Sequence, residues 1–345
     1  MGGLSKKAYQ LEKLRESELL PYLTIDAGGL LFKNEKIAAS SRDRAEVTAE
    51  GIVQAYNAMG YDAVGVARQD LAAGLSFMKN LQEKSTFSWL SANIVHKSTR
   101  QPVFKPYVRR QVGGLTAGIT AITGADAPLS SLQNVSADIL PWQEILPSLV
   151  ADLRHDNDII ILLSNYGLRQ NEAIARAVQG IHIIIQSGTH ATNIAPKLVG
   201  NTLICQTGKQ GKYLGWLKID WHKSGTWEKE DPSTVLKAKT NELDRVDRKL
   251  ARYRQRFPAE QLQAIPSYLN FVKNRTNLVG EIAELENKNA KSFAENSSST
   301  FINRFLAMEV ALPDNPEVLK LVEGIKKKIN TLGRKKEVIK SSDPQ

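Results

Sequence analysis

Short apolar runs alternate with stretches of helical periodicity along the first two thirds of the chain. Apolar residues that recur every three to four positions indicate helices that pack by one face, whereas short continuous apolar runs indicate buried strands. The predicted helices are 4–18, 44–59, 71–83, 142–154 and 170–178. The predicted strands are 21–26, 62–67, 88–94, 158–163, 181–186, 202–206 and 213–221, with a hairpin formed by 107–112 and 115–122. This alternation predicts an α/β fold in which helices cover a sheet.

The pattern changes near residue 223. A polar segment at 223–232 follows the last predicted strand and is interpreted as a linker. Beyond it, apolar residues recur at spacings typical of the seam between packed helices. The first seam is Leu236, Leu243, Val246, Leu250, Tyr253 and Phe257, and the second is Ile265, Leu269, Val272, Thr276, Val279, Ile282 and Leu285. We therefore predict an antiparallel helical hairpin over 233–290.

The last segment is predicted to contain short helices and a basic tail. Its apolar stretch 301–312 is predicted as a short helix that docks on the main domain or meets another copy of the chain. A final amphipathic helix is predicted at 316–332. The predicted parts are a main domain at 1–222, a linker at 223–232, a helical hairpin at 233–290 and short helices with the basic tail at 291–345.

Composition excludes several classes of protein. The 345 residues carry a formal charge of +10, concentrated in runs such as Lys326–Lys328 and Arg334–Lys336. No aromatic residues are interleaved with these runs, so we expect a solvated helix face rather than a nucleic-acid surface. No apolar run reaches the ~20 residues of a membrane span, and no apolar leader follows Met1. The one cysteine, Cys205, lies in an apolar strand and is interpreted as a packing residue.

The stretch AYNAMGYDAVGVARQDLAAGL at 55–75 is similar to a segment of the 5'-nucleotidase-type, calcineurin-like metallophosphoesterases. In that family, Gly-Asn-His and an acidic residue follow the strand. Further matches to the family, in order, are LTIDAGGLLF, FSWLSANIV, DIIILLSNYGL, IHIIIQSGTHA and NTLICQTGKQGKYLGWLKID. The resemblance covers about 2–222. It implies a two-sheet α/β/β/α sandwich, a pair of divalent metal ions, and a periplasmic or extracellular location.

The resemblance also implies a strand bearing Asp-x-His before Gly2. We therefore expect the central strand of the first sheet to be absent, replaced, or supplied by a region outside this chain.

The ligand positions that the resemblance implies carry other residues in the first half of the chain. The position of the bridging carboxylate is Gly29, and Asp26 lies upstream of it in the motif. The position of the ligand Asn is Arg68, that of the transition-state His is Gln69, and Asp70 holds the acidic position that orients this His. Glycine has no donor atom, and a guanidinium brings a permanent positive charge into a pocket built for two dications.

The second half of the chain shows similar losses. Asn165 stands at the position of a ligand His. The family's Gly-His-Ser-His appears here as 187–190, so Gly188 replaces one ligand His and His190 alone survives. One histidine with one amide is a poor donor set for a catalytic metal, so no cofactor is expected. Arg68 is the candidate anchor if the cleft binds an anion or a nucleotide.

These losses favour a catalytically degenerate 5'-nucleotidase-like domain that acts as a binding or structural component. No catalytic residue is assigned, and the helical region is the expected site of self-association or of a protein partner. Two alternatives stay open. One is an active phosphoesterase that hydrolyses nucleotides or other phosphate esters with divalent metal ions and unusual ligands. The other is a redox-linked accessory protein whose reactive group lies before Gly2.

Overall fold

The computed structural model describes residues 3–124, 137–187, 193–208, 211–228, 232–295 and 298–341. Its helices are α1 Leu4–Glu18, α2 Arg42–Ala58, α3 Leu75–Lys84, α4 Trp142–Leu153, α5 Leu168–Ala177, α6 Pro232–Arg256, α7 Ala259–Leu262, α8 Pro266–Glu295 and α9 Pro316–Ser341. Its strands are β1 Ile25–Asp26, β2 Ala63–Gly65, β3 Ser88–Leu90, β4 Ile94–His96, β5 Tyr107–Val112, β6 Leu115–Ile122, β7 Ala137–Ile139, β8 Ile159–Ser164, β9 Ile183–Gln186, β10 Ile194–Val199, β11 Thr202–Gln206, β12 Tyr213–Asp220 and β13 Thr300–Ala307.

The chain divides into two compact units. The first unit comprises Met1–Trp216 and Asn303–Gln345, and the second comprises Leu217–Ile302. The last helix, α9, therefore belongs to the first unit, where it packs on α1 and α2. Gly51 makes this packing close, because a Cβ at Gly51 would lie 2.5 Å from the side chain of Ile325 on α9.

Two sheets lie face to face in the first unit. The smaller has three parallel strands in the order β1-β2-β3, and the larger has six in the order β10-β11-β9-β8-β6-β5. The larger sheet is parallel from β11 to β6, and its edge strands β10 and β5 are antiparallel. Strand β2 contacts β6 and β8. A Cβ at Gly65 would lie 2.8 Å from the carbonyl oxygen of Ala27, so this glycine lets the backbone after β1 approach β2 closely.

Helices cover the outer face of each sheet. One buried apolar cluster, which includes Val53 and Val64, joins α1, α2, α3 and α9 to the three-stranded sheet. A second cluster, which includes Val150 and Ile160, joins α4 and α5 to the six-stranded sheet. Burial of each large apolar side chain contributes roughly 1.5–3 kcal/mol. The layers run α/β/β/α, which confirms the predicted fold class.

The predicted hairpin at β5 and β6 is confirmed, and its turn explains its register. Gly113 and Gly114 form the two-residue connection, with φ of +57° and +78°. Two successive positive φ angles are typical of a type I′ turn, which matches the twist of paired strands. Pairing then runs from Val112↔Leu115 to Tyr107↔Thr120.

Several boundaries differ from the predictions. Only Ile25–Asp26 of the predicted strand 21–26 pairs with β2. The predicted helix at 71–83 begins at Leu75, because Arg68–Leu71 forms a separate 3₁₀ turn. Strand β10 has no counterpart among the predictions. Its Pro196 signals a non-strand, yet proline is tolerated on an edge strand that needs no donor on that side.

The predicted helix at 301–312 is wrong, because Thr300–Ala307 is a strand. The backbone N–H of Met308 donates to the carbonyl of Lys212 at 2.8 Å. The guanidinium of Arg304 lies over the ring of Trp216, 4.9 Å from its centroid. A short apolar run fits both helical and strand periodicity, and here the contacts with β12 residues decide the outcome.

The second unit contains an antiparallel helical hairpin. Helices α6 and α8 run in opposite directions, since Lys239 pairs with Glu281 and Asp247 with Arg275, both at 2.7 Å. Its buried core is Val246, Leu250, Leu262, Tyr268 and Leu278. None of the helices that the structure describes is long and apolar enough to cross a membrane.

The second predicted seam of the hairpin is wrong in its register. Three of its members are exposed: Leu269 at 42%, Val272 at 36% and Val279 at 42%. Helix α8 instead turns Tyr268 and Phe271 inward, where their rings lie 6.0 and 6.1 Å from that of Tyr253. Aromatic rings bury more area than the aliphatic residues beside them, so they set the rotation of the helix.

Candidate functional site

Asp70 lies where the loops after β1 and β2 meet. Its Oδ2 accepts hydrogen bonds from the backbone N–H of Gly29 at 2.8 Å and of Ala67 at 2.9 Å. Its Oδ1 accepts from the N–H groups of Leu30 and Leu31, both at 2.8 Å. Burial raises the pKa of Asp70 to about 6, and the four N–H groups oppose this rise. Asp70 therefore ties two loops together, and the backbone uses both of its oxygens.

Gly29 and Gln69 lie directly against each other. Gly29 has a φ of +76°, and a Cβ built on it would lie 2.6 Å from the Nε2 of Gln69. Any side chain at position 29 would adopt a left-handed backbone conformation and displace this amide. The residues at these two positions fit one another, and a side chain at position 29 would require the Gln69 amide to move.

Arg68 is held in an ion pair. Its Nε lies 2.9 Å from the Oε1 of Glu35, and its Nη2 donates to the Oε2 of Glu35 at 3.0 Å. The exposed fractions of the two side chains are 13% and 37%. The bond from Nη2 is a charge-assisted hydrogen bond, and the close approach of Nε adds to the attraction between the two charges. The positive charge that the sequence suggests as an anion anchor is therefore balanced by Glu35, which sequence analysis missed.

Strand ends from both sheets meet at the carbonyl of Ala27. Asn165, after β8, donates from Nδ2 to this carbonyl and to the Oγ of Ser187 at 3.0 Å. Ser187, after β9, donates to the same carbonyl at 3.4 Å. The carboxyl ends of β1, β8 and β9 thus converge, as is usual for sites in open α/β sheets. The Oδ1 of Asn165 is buried and accepts no hydrogen bond from the described part of the chain.

Asp26 is linked to Tyr56 and Lys7 by a series of hydrogen bonds between side chains. Its Oδ1 accepts from the N–H of Gly28 and its Oδ2 from the hydroxyl of Tyr56, both at 2.9 Å. The Nζ of Lys7 in turn donates to the Tyr56 oxygen at 3.2 Å. Burial raises the pKa of Tyr56 well above its usual range. Lys7 and Tyr56 lie on different helices with no motif around them, so no sequence signal could have linked them to Asp26.

Two predicted site residues, Gly188 and His190, lie outside the described residues. The structure therefore describes Asp26, Gly29, Arg68, Gln69, Asp70 and Asn165 of the predicted set. Gly29, Gln69 and Asp70 are in mutual contact.

Elsewhere in the first unit, burial raises the pKa of Cys205 to about 12, which suits a packing residue.

The described residues do not fit a centre of two metal ions. Such a centre needs carboxylate, imidazole and amide oxygen donors around ions ~4 Å apart. Gly29, at the position of the bridging carboxylate, has no donor atom, and Arg68, at a ligand position, carries a positive charge that pairs with Glu35. In the described ranges, no group of three or more His, Cys, Asp or Glu side chains is placed to hold a metal ion.

Comparison with known proteins places this geometry in context. No protein-family model matches the chain. Protein UshA of Yersinia enterocolitica is 35% identical over 201 residues, which cover 48% of this chain and 36% of that protein. Snake venom 5'-nucleotidase of Gloydius brevicauda is 24% identical over 273 residues, 68% of this chain and 43% of that protein. Human 5'-nucleotidase is 26% identical over 261 residues, which cover 65% of this chain and 42% of that protein.

Two solved structures share the fold of this chain. The sulfate thiohydrolase SoxB of Thermus thermophilus superposes with a TM-score of 0.65 at 17% identity, over 94% of this chain and 46% of that chain. The calcineurin-like phosphoesterase YfkN of Bacillus subtilis superposes with a TM-score of 0.60 at 14% identity, over 96% of this chain and 91% of that chain. This chain resembles the 5'-nucleotidase-type metallophosphoesterases. The 5'-nucleotidase-like chain spans 43%, 33% and 42% of the length of three curated relatives.

Proposed function

We propose that this 5'-nucleotidase-like chain is catalytically degenerate and acts as a binding or structural component. The observation that carries the proposal is the use of Asp70, whose buried carboxylate accepts four backbone N–H groups. A second support is the amide of Gln69, which lies where a side chain at Gly29 would begin. Hydrolysis by two metal ions needs a donor atom at position 29, and the resemblance implies that the acidic residue at position 70 orients a transition-state His, which is Gln69 here.

A binding role draws support from the buried Oδ1 of Asn165, which has no partner in the described part of the chain. A buried acceptor without a partner costs about 1–3 kcal/mol, and a ligand that donates an N–H or O–H would remove this cost. Because Glu35 balances Arg68, the ligand class that fits is a nucleoside or nucleotide with donor groups rather than a bare anion.

The alternative is an active phosphoesterase with unusual ligands. It draws support from the names of the relatives, which include 5'-nucleotidases. His190, the one ligand of the family motif that the sequence retains, would then take part in the site.

A hydrolysis assay separates the two functions. The full chain is incubated with AMP, a cyclic nucleotide and p-nitrophenyl phosphate in the presence of Mn, Mg, Zn, Ca or Co, beside a His190→Ala control. We expect no turnover above the buffer blank for either protein. Turnover that survives repurification, disappears with a chelator and is lost in His190→Ala would establish the active alternative.

We further propose a periplasmic or extracellular location. The support is the family resemblance, in which one relative is a venom protein by its name. Fractionation of the source cells, followed by immunoblotting, tests this proposal, and recovery of the chain with cytoplasmic markers would contradict it.

A further inference from the structure

Helix α8 carries two apolar faces. The inner face packs on α6 and contains Tyr268, Phe271 and Leu278. The other face consists of five exposed residues at alternating spacings of three and four, which we name the outer stripe. The outer stripe is Leu269, Val272, Thr276, Val279 and Ala283.

The two faces lie side by side on the helix. At about 100° per residue, the centre of the outer stripe is roughly 100° from the centre of the inner face. The remaining side carries polar residues: Asn270, Asn274, Asn277, Glu281 and Glu284. A helix whose apolar surface extends this far around its axis is normally covered on more than one side. The hairpin covers the inner face and leaves the outer stripe exposed.

Helix α6, the other helix of the hairpin, shows the residue composition of a solvent-exposed helix face in this protein. The exposed positions of α6 include charged residues throughout: Glu242, Arg245, Lys249 and Arg252. None of the five residues of the outer stripe, which runs from Leu269 to Ala283, is charged. Its spacing is that of an a/d seam, for which the usual cover is another helix of the same kind.

We propose that the outer stripe is a dimer interface, in which α8 of two copies of this chain pack antiparallel. The proposal is independent of whether the first unit hydrolyses phosphate esters. An antiparallel crossing midway between Thr276 and Val279 sets each of these residues opposite the other in the second copy. The same crossing sets Val272 opposite the partner's Ala283. Gly280 borders the stripe and faces open space, with no atom within 4 Å of a Cβ built on it, so its missing side chain leaves room for a second helix.

Charge selects the antiparallel arrangement. Lys273 and Glu284 border the outer stripe on the same side, and both are exposed. In the antiparallel crossing, Lys273 comes within about 3 Å, measured along the helix axis, of the partner's Glu284. A parallel crossing would instead bring Lys273 to the side of the seam where the partner's Arg275 lies, and this approach of two positive charges is unfavourable.

Sedimentation equilibrium of the full chain tests this interface. We expect twice the 38.2 kDa mass of one chain at micromolar concentrations. Val272→Glu places a charge in the stripe and should raise the dissociation constant by at least about 100-fold. Asn270→Glu places the same charge on the polar side of α8 and should leave the dimer intact. Circular dichroism of both variants shows whether α8 still folds.

A charge exchange tests the orientation. Lys273→Glu should weaken the dimer by about tenfold, and adding Glu284→Lys in the same chain should restore it. A wild-type chain that stays monomeric up to about 100 μM, far above typical dissociation constants of specific dimers, overturns the proposal. A dimer that is unchanged by Val272→Glu also overturns it, because association then uses another surface. If the charge exchange fails to restore the dimer, the antiparallel pairing is wrong.

Discussion

Asp70 and Asn165 lie on loops at the carboxyl ends of the two sheets, yet their polar atoms are used in opposite ways. Both oxygens of Asp70 are filled by backbone donors from two loops. The amide of Asn165 donates to Ala27 and Ser187, and its buried Oδ1 accepts nothing from the described residues. The difference is that one side of the site connects two loops, while the other has a buried acceptor that none of the described residues uses.

The length of the strands accounts for this division. Strand β1 has two residues, so few ladder hydrogen bonds hold the loop that follows it. Asp70 supplies the missing acceptors for that loop. Strand β8, by contrast, has six residues that are all buried and that pair on both sides. The loop after β8 is therefore already held in place, and Asn165 has no need to complete the backbone there.

Removal of the Asp70 carboxylate has the largest expected effect on the stability of the loops around the site. Asp70→Ala leaves four buried N–H groups without their acceptor, and each costs about 1–3 kcal/mol unless water reaches it. We expect the free energy of unfolding to fall by about 4 kcal/mol, measured by chemical denaturation of the full chain. Asp156→Ala is the control, since this carboxylate is 61% exposed and pairs with Arg109 at the surface. Equal effects of the two substitutions would show that Asp70 does not hold the loops.

A second pair of substitutions tests the contact between Gly29 and Gln69 on the same loops. Gly29→Ala should cost about 2 kcal/mol, because left-handed backbone costs about 1–2 kcal/mol and the Gln69 amide must also move. Gly114→Ala is the matched control, with a φ of +78° and no atom within 4 Å of its Cβ, so it reports backbone strain alone. In a Gln69→Ala background the cost at Gly29 should fall to that at Gly114. A cost that does not change in this background means that Gln69 does not crowd position 29.

The fold could be predicted from the sequence because it follows from local pattern. The buried run at β8 and the Gly113-Gly114 turn each specify their element without help from distant residues. The rotation of α8 could not be predicted, because two overlapping seams compete and the edge-on and tilted ring contacts of Tyr268 and Phe271 with Tyr253 decide between them. The strand β13 is a similar case, since its periodicity fits either structure.

The site could be predicted only as a set of substitutions. The resemblance identified Gly29, Gln69 and Asp70 as positions, but not that Asp70 accepts four N–H groups. The pairing of Arg68 with Glu35 joins residues 33 apart in the chain and has no motif. Sequence thus indicates which positions differ from the motifs of the resembled family, whereas the contacts made at those positions depend on tertiary structure.

Asn165 gives the smallest effect on stability and the most specific effect on binding. Asn165→Ala loses the hydrogen bond to Ala27 but also removes an acceptor that has no partner, so we expect a cost of about 1 kcal/mol or less. Calorimetry with adenosine and AMP should show binding to the wild-type chain and none to Asn165→Ala, while inorganic phosphate binds neither. Ser187→Ala is the control, because it removes a neighbour of Asn165 and leaves Oδ1 in place. A stability cost as large as that of Asp70→Ala would mean that Oδ1 serves the fold, and equal nucleotide affinity in wild type and Asn165→Ala would place the ligand elsewhere.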